Sequence, residues 1–174
     1  IVVTFINQEQ VELAGAITIV KDTVPNALQD FTFTRSFGEN FQLDDDAGVI
    51  GGDDTLPSTV SFSDLTPGVY TITELPQAGF KLANLRIFDP DGGSSINLSA
   101  GTATIDVDSG ESIVAIFVNQ RDVIVVTPDK TNGSLRAVHV IDATTGEVVN
   151  RFLAYEESYR GGVRIAVGDF NGDG

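Results

Sequence analysis

Ile113-Val-Ala-Ile-Phe-Val-Asn-Gln120 alternates with period two, so Ile113, Ala115, Phe117 and Asn119 share one face of an extended strand. Three apolar side chains followed by a carboxamide put a polar group at the end of a core-facing row, where it needs a partner. The pattern returns as Ile1-Val-Val-Thr-Phe-Ile-Asn-Gln8, with Ile, Val, Phe, Asn and Gln in the same places. A strand repeated at that separation reads as the last strand of a domain-sized unit that occurs twice. Residues 1–8 are therefore expected to be either the terminal strand of a preceding repeat or a donor strand that completes a neighbouring subunit. In both readings Asn7 takes the place of Asn119. A lone apolar strand in solvent invites edge pairing, which favours an array or fibre over an isolated monomer.

The chain has 174 residues, a length that allows one or two domains with a real core. Ten basic against 25 acidic residues give a net charge of −15, which argues against nucleic-acid binding and suits hard cations such as calcium. No apolar run approaches the roughly 20 residues a membrane helix needs. Cysteine is absent, so disulfides and thiolate metal sites are excluded, and an extracellular protein of this kind needs some other cross-link.

Along the chain, short period-two runs are separated by Gly, Pro, Asp and Asn, with no amphipathic helix longer than two turns. This is an all-β pattern. Strands are expected at 16–22, 31–35, 41–43, 59–63, 69–75, 82–88, 95–98, 103–107 and 111–120, which argues for a Greek-key β-sandwich over residues 9–120. Residues 44–57, with Asp44, Asp45, Asp46, Asp53 and Asp54, read as a solvated acidic loop. From residue 121 the character changes. Strand-like runs at 122–127, 135–141, 147–153 and 161–167 mark a second module, 121–174.

Three polar side chains fall on inward faces of different strands in the first module: Lys21 after Ile17 and Ile19, Glu74 after Tyr70 and Ile72, and Asn119. Burial lowers a lysine's pKa and raises a glutamate's. A neutral amine beside a carboxamide, with a protonated acid to polarise the carbonyl and shuttle protons, is set up to form an amide and release ammonia. The unreacted alternative is a salt-bridged lysine with a hydrogen-bonded asparagine.

Ile19-Val-Lys-Asp22, Pro67-Gly-Val-Tyr-Thr-Ile-Thr-Glu74 and Phe117-Val-Asn119 together resemble the Cna B-type, prealbumin-like domains of bacterial surface proteins and pilins. The resemblance covers about residues 12–120. It implies an intramolecular isopeptide bond between Lys21 and Asn119, with Glu74 as the assisting acid, joining the first and last strands of one prealbumin-like sandwich. It leaves open whether Asn7 forms a bond between subunits.

In the second module, Asp169-Phe-Asn171-Gly-Asp173-Gly174 spaces oxygen ligands at alternate positions, with glycine at the sharp turn. With the preceding Gly161-Gly-Val-Arg-Ile-Ala-Val167 it resembles the FG-GAP, integrin α-type repeats of β-propellers. That resemblance implies a partial propeller-blade-like module with calcium at Asp169, Asn171 and Asp173. No nucleophile elbow or phosphate-cradling loop suggests an enzyme, and His139 reads as structural. The expected function is a structural, extracellular subunit of a cell-surface filament whose partners are other copies of itself or adjacent repeats. The competing readings are an adhesin or carbohydrate-binding module of a larger surface protein, weakened by the absence of Trp and by only three Tyr, and the accessory region of a secreted enzyme.

Overall fold

The computed structural model describes residues 1–3, 11–46, 52, 55–127, 137–143, 145–156, 158–159 and 161–167. Nine strands form the first module: β1 (Gly15–Val24), β2 (Ala27–Arg35), β3 (Phe41–Asp45), β4 (Thr59–Leu65), β5 (Gly68–Glu74), β6 (Phe80–Phe88), β7 (Ser95–Asn97), β8 (Thr102–Val107) and β9 (Ser112–Arg121). They lie in a four-stranded sheet, order β4-β1-β9-β6, and a five-stranded sheet, order β3-β2-β5-β8-β7. This is the expected all-β sandwich.

Alternation decides what lies between the sheets. Ile17, Ile19, Ile113, Ala115 and Phe117 face inward from one sheet, and Phe31, Phe33, Ile72, Ala103, Ile105 and Val107 from the other. The Phe33 ring meets Phe117 edge-on, with centroids 5.1 Å apart, across the two layers.

The first and last strands of the sandwich are neighbours. β1 runs parallel to β9 with Lys21 opposite Phe117 and Thr23 opposite Asn119. Parallel neighbours require a long crossover, and here the crossover consists of all the intervening strands. β6 pairs antiparallel with the other side of β9, bringing Leu82 opposite Asn119. The end of β9 is thus enclosed on both sides.

Beyond Arg121, β10 (Val123–Val126), β11 (Ala137–Asp142) and β12 (Val148–Leu153) form one antiparallel three-stranded sheet. The fourth strand expected at 161–167 is not formed. The segment packs instead through a hydrogen bond from the Thr127 hydroxyl to the Val163 carbonyl, 2.9 Å. The sandwich and this third sheet meet where Arg121 Nε lies 3.2 Å from Asp142 Oδ2 and the guanidinium stacks over the Phe80 ring at 4.5 Å.

The acidic loop also begins differently from its expected solvated form. Asp44 and Asp45 belong to β3, and Asp44 and Asp46 are buried. Asp45 accepts hydrogen bonds from the Thr23 backbone N–H and hydroxyl, tying β3 to β1.

Candidate functional site

Strand alternation carries three polar groups to one end of the core. Along β1 the inward row runs Ile17, Ile19, Lys21, and along β9 it runs Ile113, Ala115, Phe117, Asn119. Neighbouring strands lie about 4.8 Å apart with a rise of about 3.3 Å per residue, so the Lys21 and Asn119 Cα atoms are diagonal neighbours at about 8 Å. A lysine stem covers that span. Glu74 ends the inward row of β5 on the facing sheet and completes the group from across the core.

All three are deeply buried, with Lys21 1% exposed, Asn119 2% and Glu74 5%. Asn119 Nδ2 donates to Glu74 Oε1 at 2.6 Å. Lys21 Nζ donates to the Asp22 carbonyl at 2.5 Å and to the Phe117 carbonyl at 3.4 Å, and it sits 4.0 Å from the centre of the Phe31 ring. The ammonium is therefore held against the β9 backbone two residues before Asn119. Among the described residues it forms no ion pair with Glu74, so the salt-bridged arrangement is not the one adopted.

The electrostatics follow from this burial. Desolvation lowers Lys21 to about 8, against smaller opposing effects of the Glu74, Asp45 and Asp22 charges. Desolvation raises Glu74 above the usual carboxylate range, with Lys21 and the Asn119 hydrogen bond opposing it. Each group is pushed toward its neutral form. A half-turn of the Asn119 carboxamide exchanges Nδ2 and Oδ1 and places the carbonyl oxygen where a protonated Glu74 can donate to it.

Two contributors were not evident in the chain. The Glu74 backbone N–H donates to the Gly101 carbonyl at 2.9 Å, and the next, that of Leu75, donates to the Thr32 carbonyl at 2.9 Å. Gly101 closes the short turn 98–100 in the left-handed conformation, φ +63°, so the carbonyl that fixes Glu74 depends on a glycine. Phe31 was legible as a core residue but not as the ring beneath the ammonium.

Asn7, Asp169, Asn171 and Asp173 lie outside the described residues. A different acidic group stands near the start of β9, where carboxylate oxygens of Asp89, Asp91 and Glu111 lie within 4.8 Å of one another. Asp89 is engaged with the backbone N–H groups of Asp91, Gly92 and Ser94, which accounts for it as the organiser of a turn.

A family described as a prealbumin-like fold domain, SpaA_4, matches residues 17–121, a span that contains Lys21, Glu74 and Asn119. No curated protein sequence matches the chain. Among solved structures, it is similar to a bacterial adhesin from Mobiluncus mulieris containing intramolecular disulfide, isopeptide and ester bond cross-links. That match has 14% identity and a TM-score of 0.42, covering 62% of this chain and 41% of that one. It is also similar to the minor pilin of Streptococcus agalactiae, with 10% identity, a TM-score of 0.41 and coverage of 68% and 49%. The major pilin of Streptococcus pyogenes gives 16% identity, a TM-score of 0.32 and coverage of 64% and 45%. The chain thus spans less than half the length of each of these three structures.

Proposed function

Because the chain belongs to the SpaA_4 family of prealbumin-like fold domains, we propose that it is a structural segment of an extracellular surface fibre, hardened by an isopeptide bond between Lys21 and Asn119. The observation that carries this reading is the burial of an amine, a carboxamide and an acid together at the end of one core, with each ionisable group driven toward neutrality.

In the reaction, the free-base Nζ of Lys21 attacks Cγ of Asn119 while Glu74 donates its proton toward the carbonyl oxygen. The tetrahedral intermediate loses Nδ2 as ammonia, with Glu74 relaying the proton that the amine gives up. One C–N bond forms, one breaks, and Glu74 ends protonated as it began. Burial supplies both the altered proton affinities and the proximity. The product replaces a buried ammonium with a neutral amide, which removes the desolvation penalty of the reactant.

The sequence repeat supports a further role in assembly. A segment that copies the sequence of β9 up to its asparagine suits either the last strand of a preceding unit in a tandem array or strand donation to another copy, with Asn7 taking the sequence place of Asn119 in a bond of the same kind. Calcium at Asp169, Asn171 and Asp173 rests on ligand spacing and on the resemblance of residues 161–174 to FG-GAP repeats.

The deciding experiment is the intact mass of the denatured chain. The wild type should be lighter than calculated by one ammonia, and Lys21→Ala, Asn119→Ala and Glu74→Gln should restore the full mass. A wild-type chain at its calculated mass overturns the staple. Ladders that resist denaturing electrophoresis and vanish in Asn7→Ala would establish bonding between subunits.

A further inference from the structure

The residues that supply the carboxamide and the acid also border a cavity. A cavity of about 520 Å³ reaches Glu74 and Asn119 between apolar walls from Leu75, Phe80, Leu82 and Leu98, and Lys21 does not line it. Glu74 Oε2 and Asn119 Oδ1 are buried oxygens with no hydrogen-bond partner. Buried acceptors are ordinarily satisfied, so two unfilled ones on residues that border a single cavity point to a donor entering from it once the Asn119 and Glu74 side chains turn toward the opening.

The lining selects the donor's chemistry. Apolar walls suit a chain of methylenes, and acceptor oxygens on two of the bordering residues suit a terminal nitrogen bearing several hydrogens. Lys81, the cationic residue on the lining, disfavours an incoming ammonium and so favours its free base. Asn119, whose nitrogen leaves as ammonia, is among the residues that border the cavity.

We propose that this cavity admits an external unbranched primary amine, the chemistry of a lysine side chain, to the Asn119 carboxamide in competition with Lys21. The inference rests on the staple reading above. The incoming amine attacks Cγ, Glu74 gives its proton to the departing Nδ2 and takes up the one the amine loses, ammonia leaves, and an N-alkyl amide remains on Asn119 with Glu74 protonated as before. No oxidant or other co-reactant is required.

Lys21→Met removes the internal nucleophile while keeping an apolar stem in the core. Incubated with n-butylamine at mildly alkaline pH, it should gain one butylamine less one ammonia, with the label mapped to Asn119. Adding Glu74→Gln should slow labelling about a hundredfold, the scale of a positioned acid–base group. Adding Leu98→Trp, at an exposed position of the wall, should suppress it by filling the opening. Should Lys21→Met not fold, refolding the wild type in excess n-butylamine reads the same competition as a fraction of chains labelled at Asn119.

Failure of the labelling, label on other residues, or labelling indifferent to Leu98→Trp overturns the amine site. The wild-type mass separates the two ideas. A wild type lacking one ammonia beside an unlabelled variant sinks only the amine site, whereas a wild type at full mass removes the staple as well.

Discussion

An ammonium 1% exposed, resting on a phenyl ring and two backbone carbonyls, is a costly occupant of a core position. The fall of Lys21 from 10.5 to about 8 corresponds to about 3 kcal/mol of penalty on the charged form, a penalty relieved when nitrogen becomes part of an amide. The reacting state, neutral amine with protonated acid, carries the same single proton as charged Lys21 beside ionised Glu74, so its population is greatest between the two titrations. Ammonia loss during refolding should therefore slow as pH rises through about 8, where the pair gives up its last proton and Glu74 has none to donate. It should slow again on the acid side, where Glu74 is protonated while Lys21 stays charged. Mass spectrometry on quenched samples would follow this, and a rate still climbing above the Lys21 titration would contradict the assignment of Glu74 as donor. These three residues were readable in the chain because a period of two leaves each strand only two faces, and each of the three follows apolar residues on the buried one. Phe31 and Gly101 were not readable as parts of the site, because their contributions arise from pairings between distant strands.

At the scale of elements, the turn before β8 sets the acid. A Cβ built on Gly101 would lie 2.8 Å from the Glu74 carbonyl oxygen, at a backbone φ of +63° that side chains resist. Gly101→Ala should cost about 1–3 kcal/mol and displace Glu74, slowing ammonia loss more than a substitution of similar cost remote from the site. Denaturant midpoints read the first effect and refolding mass kinetics the second. A normal rate in a destabilised variant would show that this turn does not position the acid. The strands of the sandwich were legible for the same reason as its site, since each buries one face. Residues 161–167 show where that reasoning stops. Their alternation is as regular as that of β1, but periodicity reports which side chains share a face and says nothing about whether a partner strand is present. The start of the acidic loop failed differently, as Asp45 is drawn into β3 by the Thr23 N–H and hydroxyl, a tertiary contact that composition does not reveal.

For the whole molecule, a bond from β1 to β9 closes nearly all of the sandwich into one covalent loop. Cross-linking a loop of that length restricts the unfolded chain by about 5 kcal/mol in the chain-entropy account. Lys21→Ala should lose stabilisation of that order, plus the cost of the emptied stem, in a denaturant titration. Asn119→Ala, which removes the bond but keeps the buried amine, should be comparably destabilised. If both variants matched the wild type, the bond would be absent or without thermodynamic effect. The junction to the third sheet is made differently, through the main chain after Arg121, whose side chain packs on Phe80 and reaches Asp142 as an ion pair.

The parallel adjacency of β1 and β9 also fixes how far the chain can be drawn out. With Lys21 joined to Asn119, a pull applied at the two ends of the sandwich passes directly from one strand to its neighbour. Residues 22–118, roughly 350 Å of extended chain at about 3.6 Å per residue, never enter the contour length. A string of such units would behave as a tether of set reach, with no slack held in reserve inside its folded parts.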